Sequence, residues 1–119
     1  MILRLWPILT TFTLAQNAAL PSVLIYSRTA GFRHDSIPTA IDALRSMAAG
    51  LYNPVFSEDP ADFTIANLSQ FKALIFLSNS DQVLTPSGES ALDAYLRSGG
   101  NLIGGLVQEE RYIRCLCGE

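Results

Sequence analysis

Val23-Leu24-Ile25-Tyr26-Ser27-Arg28-Thr29-Ala30-Gly31-Phe32-Arg33-His34-Asp35-Ser36-Ile37 is the stretch that decides the fold of this chain. Together with Ser22, its first part is a continuous apolar run of strand length without polar alternation, which suits a strand covered on both faces. A central strand of a parallel sheet is therefore expected at Ser22–Ser27. From Ser36 the period changes: Ile37, Ala40, Ile41, Leu44, Met47 and Ala48 recur at steps of three and four, the spacing of one apolar helix face. Asp35 or Ser36 can cap that helix, Pro38 fits its first turn, and Gly50 can close it.

The same grammar continues outward. Pro54-Val55-Phe56-Ser57 reads as a short strand, Asp59-Pro60 as a break, and Thr64 to Gln70 as one or two helical turns. Ala73-Leu74-Ile75-Phe76-Leu77 repeats the buried-strand signature. Thr85 offers an N-cap with Pro86 at the first helical position and Glu89 near the positive end of the dipole. Leu92, Tyr95 and Leu96 supply the apolar stripe, Gly99-Gly100 ends it, and Asn101 to Leu106 reads as a fourth strand. Strand and helix alternate throughout, and right-handed connections of this kind place parallel strands in one sheet with helices on both faces. The expected class is α/β, a doubly wound parallel sheet. Four strands are few for this architecture, so the sheet is expected to be truncated after about four, with an apolar face or edge left unpaired.

Composition bounds what such a fold can do. A chain of 119 residues fits one domain. With 49% hydrophobic and 16% charged residues and a mean hydropathy of +0.25, it is too apolar to be a disordered chain. No window reaches the roughly 18–20 apolar residues of a membrane span. The net charge is −3, Lys72 is the only lysine and the arginines are scattered, so no basic stripe exists for nucleic acid. The first residues differ from the rest. Arg4 is followed by Leu, Ile, Phe and Thr, and then by Thr13-Leu14-Ala15 with small residues at the −3 and −1 positions of a cut, so residues 1–15 are expected to be a signal peptide and the protein extracellular. No membrane association is expected after its removal. Asn67-Leu68-Ser69 is a glycosylation sequon consistent with that route. Cys115 and Cys117 stand one residue apart, a spacing that rarely satisfies disulfide geometry, and no further Cys or His lies near enough in sequence to complete a zinc site. They read as part of an exposed tail.

In open parallel sheets, ligands bind beyond the carboxyl ends of the strands. The loop from Arg28 to Asp35 is about eight residues long where two to six suffice, and it holds two Arg, the only His and an Asp. His34 stands just ahead of a helix start, able to act as an acid or base or to orient a polyol hydroxyl. The alternative is that His34 and Asp35 cap the helix and Arg28 and Arg33 are solvated. Ser78-Asn79-Ser80-Asp81-Gln82, after the third strand, offers hydroxyls and a carboxylate suited to a sugar, although these residues are also ordinary turn formers. No G-x-G-x-x-G, phosphate loop or G-x-S-x-G elbow is present, so neither a cofactor nor a hydrolase of that kind is expected. His34 with Asp35 and Asp81 is too small a set for a metal site.

Phe32-Arg33-His34-Asp35-Ser36-Ile37, with Glu58-Asp59-Pro60, Leu74-Ile75-Phe76-Leu77-Ser78 and Gly99-Gly100-Asn101-Leu102-Ile103-Gly104, resembles the N-terminal half of a ThuA-like (trehalose utilisation) domain. The resemblance covers residues 22–106 as a partial domain and leaves 107–119 as a non-family C-terminal tail. It implies a flavodoxin-like fold related to class I glutamine amidotransferases without their catalytic Cys, and a role in binding or using a small-molecule sugar. His34 is then the residue expected to be catalytic, and Arg28, Arg33, Asp35, Ser78 and Asp81 those expected to bind ligand. Ser80 stands where the family usually has Gly before the Asp. The alternative is a non-catalytic fragment of such a domain, acting as a weak binding or interaction module that self-associates through its uncovered sheet edge.

Overall fold

The computed structural model describes residues 18–105. Residues 1–15, Leu106, the tail 107–119 and both cysteines lie outside them. Four strands, β1 (Ser22–Tyr26), β2 (Asn53–Ser57), β3 (Ala73–Leu77) and β4 (Asn101–Gly105), form one sheet in the order β2-β1-β3-β4. Every pairing is parallel. The helices are α1 (Ile37–Met47), α2 (Ile65–Leu68) and α3 (Pro86–Arg97), with a 3₁₀ turn at Pro60–Asp62. Among the described residues, no helix is long and apolar enough to cross a membrane.

β1 is an inner strand, as its unbroken apolar run requires. Register sets the two faces: Leu24 lies beside Leu74, which lies beside Leu102, while Ile25 lies beside Ile75 and then Ile103. Leu24, Tyr26, Leu74 and Phe76 belong to a core with Phe63, Leu68, Leu84, Leu92 and Tyr95. Leu24, Leu68 and Leu74 are almost wholly enclosed, each contributing about 2 kcal/mol of burial. Tyr26, Phe63 and Phe76 meet edge-on or tilted, with centroids 4.6–5.7 Å apart. On the opposite face Arg45 of α1 stacks 4.8 Å over the Phe56 ring, and Ile37 and the C-cap Ala48 are buried. Farther along that face, Ile103 is 54% exposed.

The α3 signals work as read. Thr85 Oγ1 accepts from the Gly88 N–H at 3.1 Å, and Pro86 opens the helix. Gly99 follows the last turn at φ +94°, with Gly99 N–H donating to Leu96 C=O and Gly100 N–H to Tyr95 C=O, both at 3.0 Å. That double closure is the Schellman arrangement.

Two expectations for α1 need correcting. Ser36 occupies the N-cap in helical geometry and its side chain caps nothing, and Asp35 supplies no cap either. Met47 is 67% exposed. At about 100° per residue, Ile37, Ile41, Leu44 and Ala48 fall within a stripe some 60° wide and Met47 lies about 90° from its centre. The three-and-four spacing admitted it; the helix rotation does not.

Candidate functional site

β1 connects leftward to β2 and the chain returns to β3 on its other side, so the strand order reverses between β1 and β3. This is the position where open α/β sheets hold ligands. The loops after these two strands are joined there. Thr29 pairs with Ser80 in a parallel bridge, Ala30 N–H donates to Ser80 C=O at 3.0 Å, and Asn79 Nδ2 donates to Arg28 C=O at 2.9 Å. Ser80 Oγ donates to Phe32 C=O at 2.7 Å.

Local geometry follows from register. Tyr26 pairs with Phe76 and Thr29 with Ser80, so the β3 side carries one more residue than the β1 side. The surplus is absorbed as in a bulge, where Ser78 turns to φ +49°. Positive φ recurs at Asp81 (+57°) and not at Ser80, so a serine is accommodated at the position the resemblance marks as Gly. Non-glycine residues in this region carry strain of about 1–2 kcal/mol and cluster at functional positions. Asn79 is 2% exposed, and its Oδ1 is a buried acceptor without a partner among the described residues.

Gly31 is a close-approach glycine. A Cβ there would stand 1.7 Å from Asp81 Oδ2, so any side chain displaces that carboxylate. Asp81 is thus held against the first loop while remaining exposed. His34 is half-buried, its ring edge-on to Phe32 at 4.9 Å and 87°. Its C=O accepts from Ile37 N–H at 3.2 Å, which fixes the backbone at the start of α1. The imidazole makes no hydrogen bond to a described residue, leaving both nitrogens for a ligand. Asp35 is exposed and pairs with no described residue, while Ser78 is enclosed within the bulge.

Arg28 and Arg33 turn the other way, toward β2. Arg33 Nη2 lies 2.8 Å from Glu58 Oε1, and Arg28 Nη1 donates to Glu58 C=O at 3.3 Å. Ser27 Oγ donates to the same Oε1 at 3.1 Å. Sequence reasoning missed Glu58 and Asn79 as site residues; the signal available was that Glu58 directly follows the second strand, at its carboxyl end. Asn67 lies in α2, with Nδ2 donating to Asp62 C=O at 2.8 Å. Among the described residues, no group of three or more His, Cys, Asp or Glu side chains could hold a metal ion.

The buried Tyr26 hydroxyl anchors the site from below, donating to Val83 C=O at 2.7 Å and tying the end of β1 to the approach of α3. Burial pushes this phenol up to about 12; Arg28 pulls it down, and Asp59, Asp62 and Glu58 push it further up.

A crystal structure described as that of a ThuA-like protein from Bacteroides uniformis matches this architecture with a TM-score of 0.62 at 20% identity, over 73% of this chain and 36% of that one. The chain therefore spans about a third of that neighbour's length, and the likeness establishes the fold. No curated protein matches the chain. The family model ThuA, described as trehalose utilisation, matches residues 22–107, which include both loops, the switch point and all four strands. The chain belongs to the ThuA (trehalose utilisation) family.

Proposed function

We propose that the β1/β3 switch point binds a polyhydroxylated ligand, a sugar of the trehalose type, and that the protein serves in carbohydrate utilisation. The observation that supports this most directly is the joining of the two loops by Ala30–Ser80, Asn79–Arg28 and Ser80–Phe32 hydrogen bonds, one loop carrying His34 and the other Asp81. A sugar hydroxyl is both donor and acceptor. Asp81 accepts from it, and the unengaged imidazole of His34 either donates or accepts. In the same proposal His34 is the acid or base of any proton transfer to a ligand hydroxyl. The extracellular setting proposed with it rests on the sequence of residues 1–15.

The test is a calorimetric titration of the full chain with trehalose, in parallel with His34→Ala. Saturable binding is expected, weakened about three- to tenfold in the variant, the size of one lost hydrogen bond. No heat with the wild-type chain, or equal affinity for both proteins, overturns the proposal.

A further inference from the structure

Two guanidinium groups beside the carboxyl end of a parallel strand would ordinarily make a receptor for phosphate or carboxylate, because the planar fork matches those anions. Here a single residue engages both. Glu58 takes Arg33 on its carboxylate at 2.8 Å and Arg28 on its main-chain carbonyl at 3.3 Å. The carboxylate is anchored from beneath by Ser27, itself 2% exposed, which donates to Oε1 at 3.1 Å. Glu58 is followed by further carboxylates with partners of their own: Asp59 caps the 3₁₀ turn by accepting from Ala61 N–H, and Asp62 accepts from Ser57 Oγ at 2.5 Å. Asp81 adds another on the β3 side, against Gly31.

We propose that Glu58 is a specificity-determining residue on the β2 side of the candidate site: its carboxylate, seated on Arg33, disfavours phosphate- and carboxylate-bearing ligands there and leaves the loops after β1 and β3 to neutral polyols. The polyol half rests on the function proposed above; the exclusion of anions stands on the Glu58 geometry alone. As a source of stability the Arg33–Glu58 pair is minor, since its side chains are 46% and 49% exposed and such pairs contribute little. Its consequence is electrostatic: an anion approaching Arg33 meets a carboxylate already seated there.

The experiment titrates the full chain with inorganic phosphate and, separately, with trehalose, following backbone and arginine side-chain NMR signals at fixed low ionic strength. Glu58→Gln keeps the shape and an acceptor for Ser27 while removing the charge; Glu58→Ala makes the same comparison by a second route. At about 4 Å in water one unit charge corresponds to roughly a fivefold change in affinity. Glu58→Gln is therefore expected to bind phosphate at least about fivefold more tightly than wild type, with shifts at Arg28 and Arg33, and Arg33→Ala in the Gln background is expected to abolish the gain. Equal phosphate affinity in wild type and both Glu58 variants, or a gain that survives Arg33→Ala, overturns the role of Glu58. Absence of trehalose binding by the wild type defeats the polyol reading, and the phosphate titration still decides for or against Glu58.

Discussion

Tyr26 offers the sharpest test of how the core carries the site. Its ring is fully enclosed and its hydroxyl donates to Val83 C=O at 2.7 Å. Burial, opposed by Arg28 and reinforced by Asp59, Asp62 and Glu58, raises the phenol from 10.0 to about 12. The folded state thus holds this proton more tightly than the unfolded chain. The associated stability is fully present below pH 10 and is lost as pH rises through about 12. Two pH units correspond to about 2.7 kcal/mol, of which about 2 kcal/mol has gone by roughly pH 11.5. Tyr26→Phe keeps the aromatic cluster and removes the titrating group. At neutral pH it leaves the Val83 carbonyl unpaired, at a cost of about 1–3 kcal/mol. Urea unfolding followed by circular dichroism from pH 8 to about 11.5 should therefore show the variant less stable at pH 8, with the gap narrowing by about 2 kcal/mol at the alkaline end. The other tyrosines are common to both proteins and cancel in the difference. Parallel stability curves from pH 9 upward, or no cost at pH 8, would refute the coupling between this buried hydroxyl and the fold.

Gly100→Ala is expected to destabilise by about 1–3 kcal/mol in the same unfolding assay: a Cβ there lies 2.2 Å from the Tyr95 ring, which cannot retreat because its hydroxyl donates to Phe71 C=O at 3.1 Å and accepts from Asn101 N–H at 3.3 Å. Thr85→Ala removes the acceptor of the Gly88 N–H and should cost about 1 kcal/mol, read as a fall in the urea midpoint at unchanged slope.

Which features were legible in the sequence depends on how far their causes reach along the chain. Ala73–Leu77 and the Thr85, Pro86 and Gly99-Gly100 punctuation are decided within a few residues, by burial on two faces and by cap chemistry, and the structure places them where they were read. The Arg28–Asp35 loop was legible as a candidate site because eight residues exceed what a connection needs. Three features depend on partners distant in sequence. Ser78 turns to positive φ because the β3 side carries one residue more than the β1 side, a fact of register that no local pattern records. Asn79 is buried because it bonds to Arg28, 51 positions away. Glu58 matters because strand order brings the end of β2 beside that of β1. Met47 belongs to another class: its spacing was right and its angle was not.

The two halves of the sheet bear unequally on the site. On the α1 face, Ile25, Ile75 and Ile103 stand side by side in register, and exposure rises from complete burial at Ile25 to 54% at Ile103. The β4 end of that face is therefore its least covered part. Yet every hydrogen bond that shapes the candidate site joins β1, β2, β3 and their loops, none of which draws on β4. Beneath those loops lie Tyr26, Phe63 and Phe76, on the opposite, helix-covered face. Local opening follows local packing, so fluctuations should begin at Ile103 and leave the β1/β3 switch point closed. Amide hydrogen exchange on the full chain is then expected to be faster along β4 than at Ala30, whose N–H bonds to Ser80 C=O across the two loops; faster exchange at Ala30 than along β4 would mean that the loops, and not the sheet edge, are the weak element.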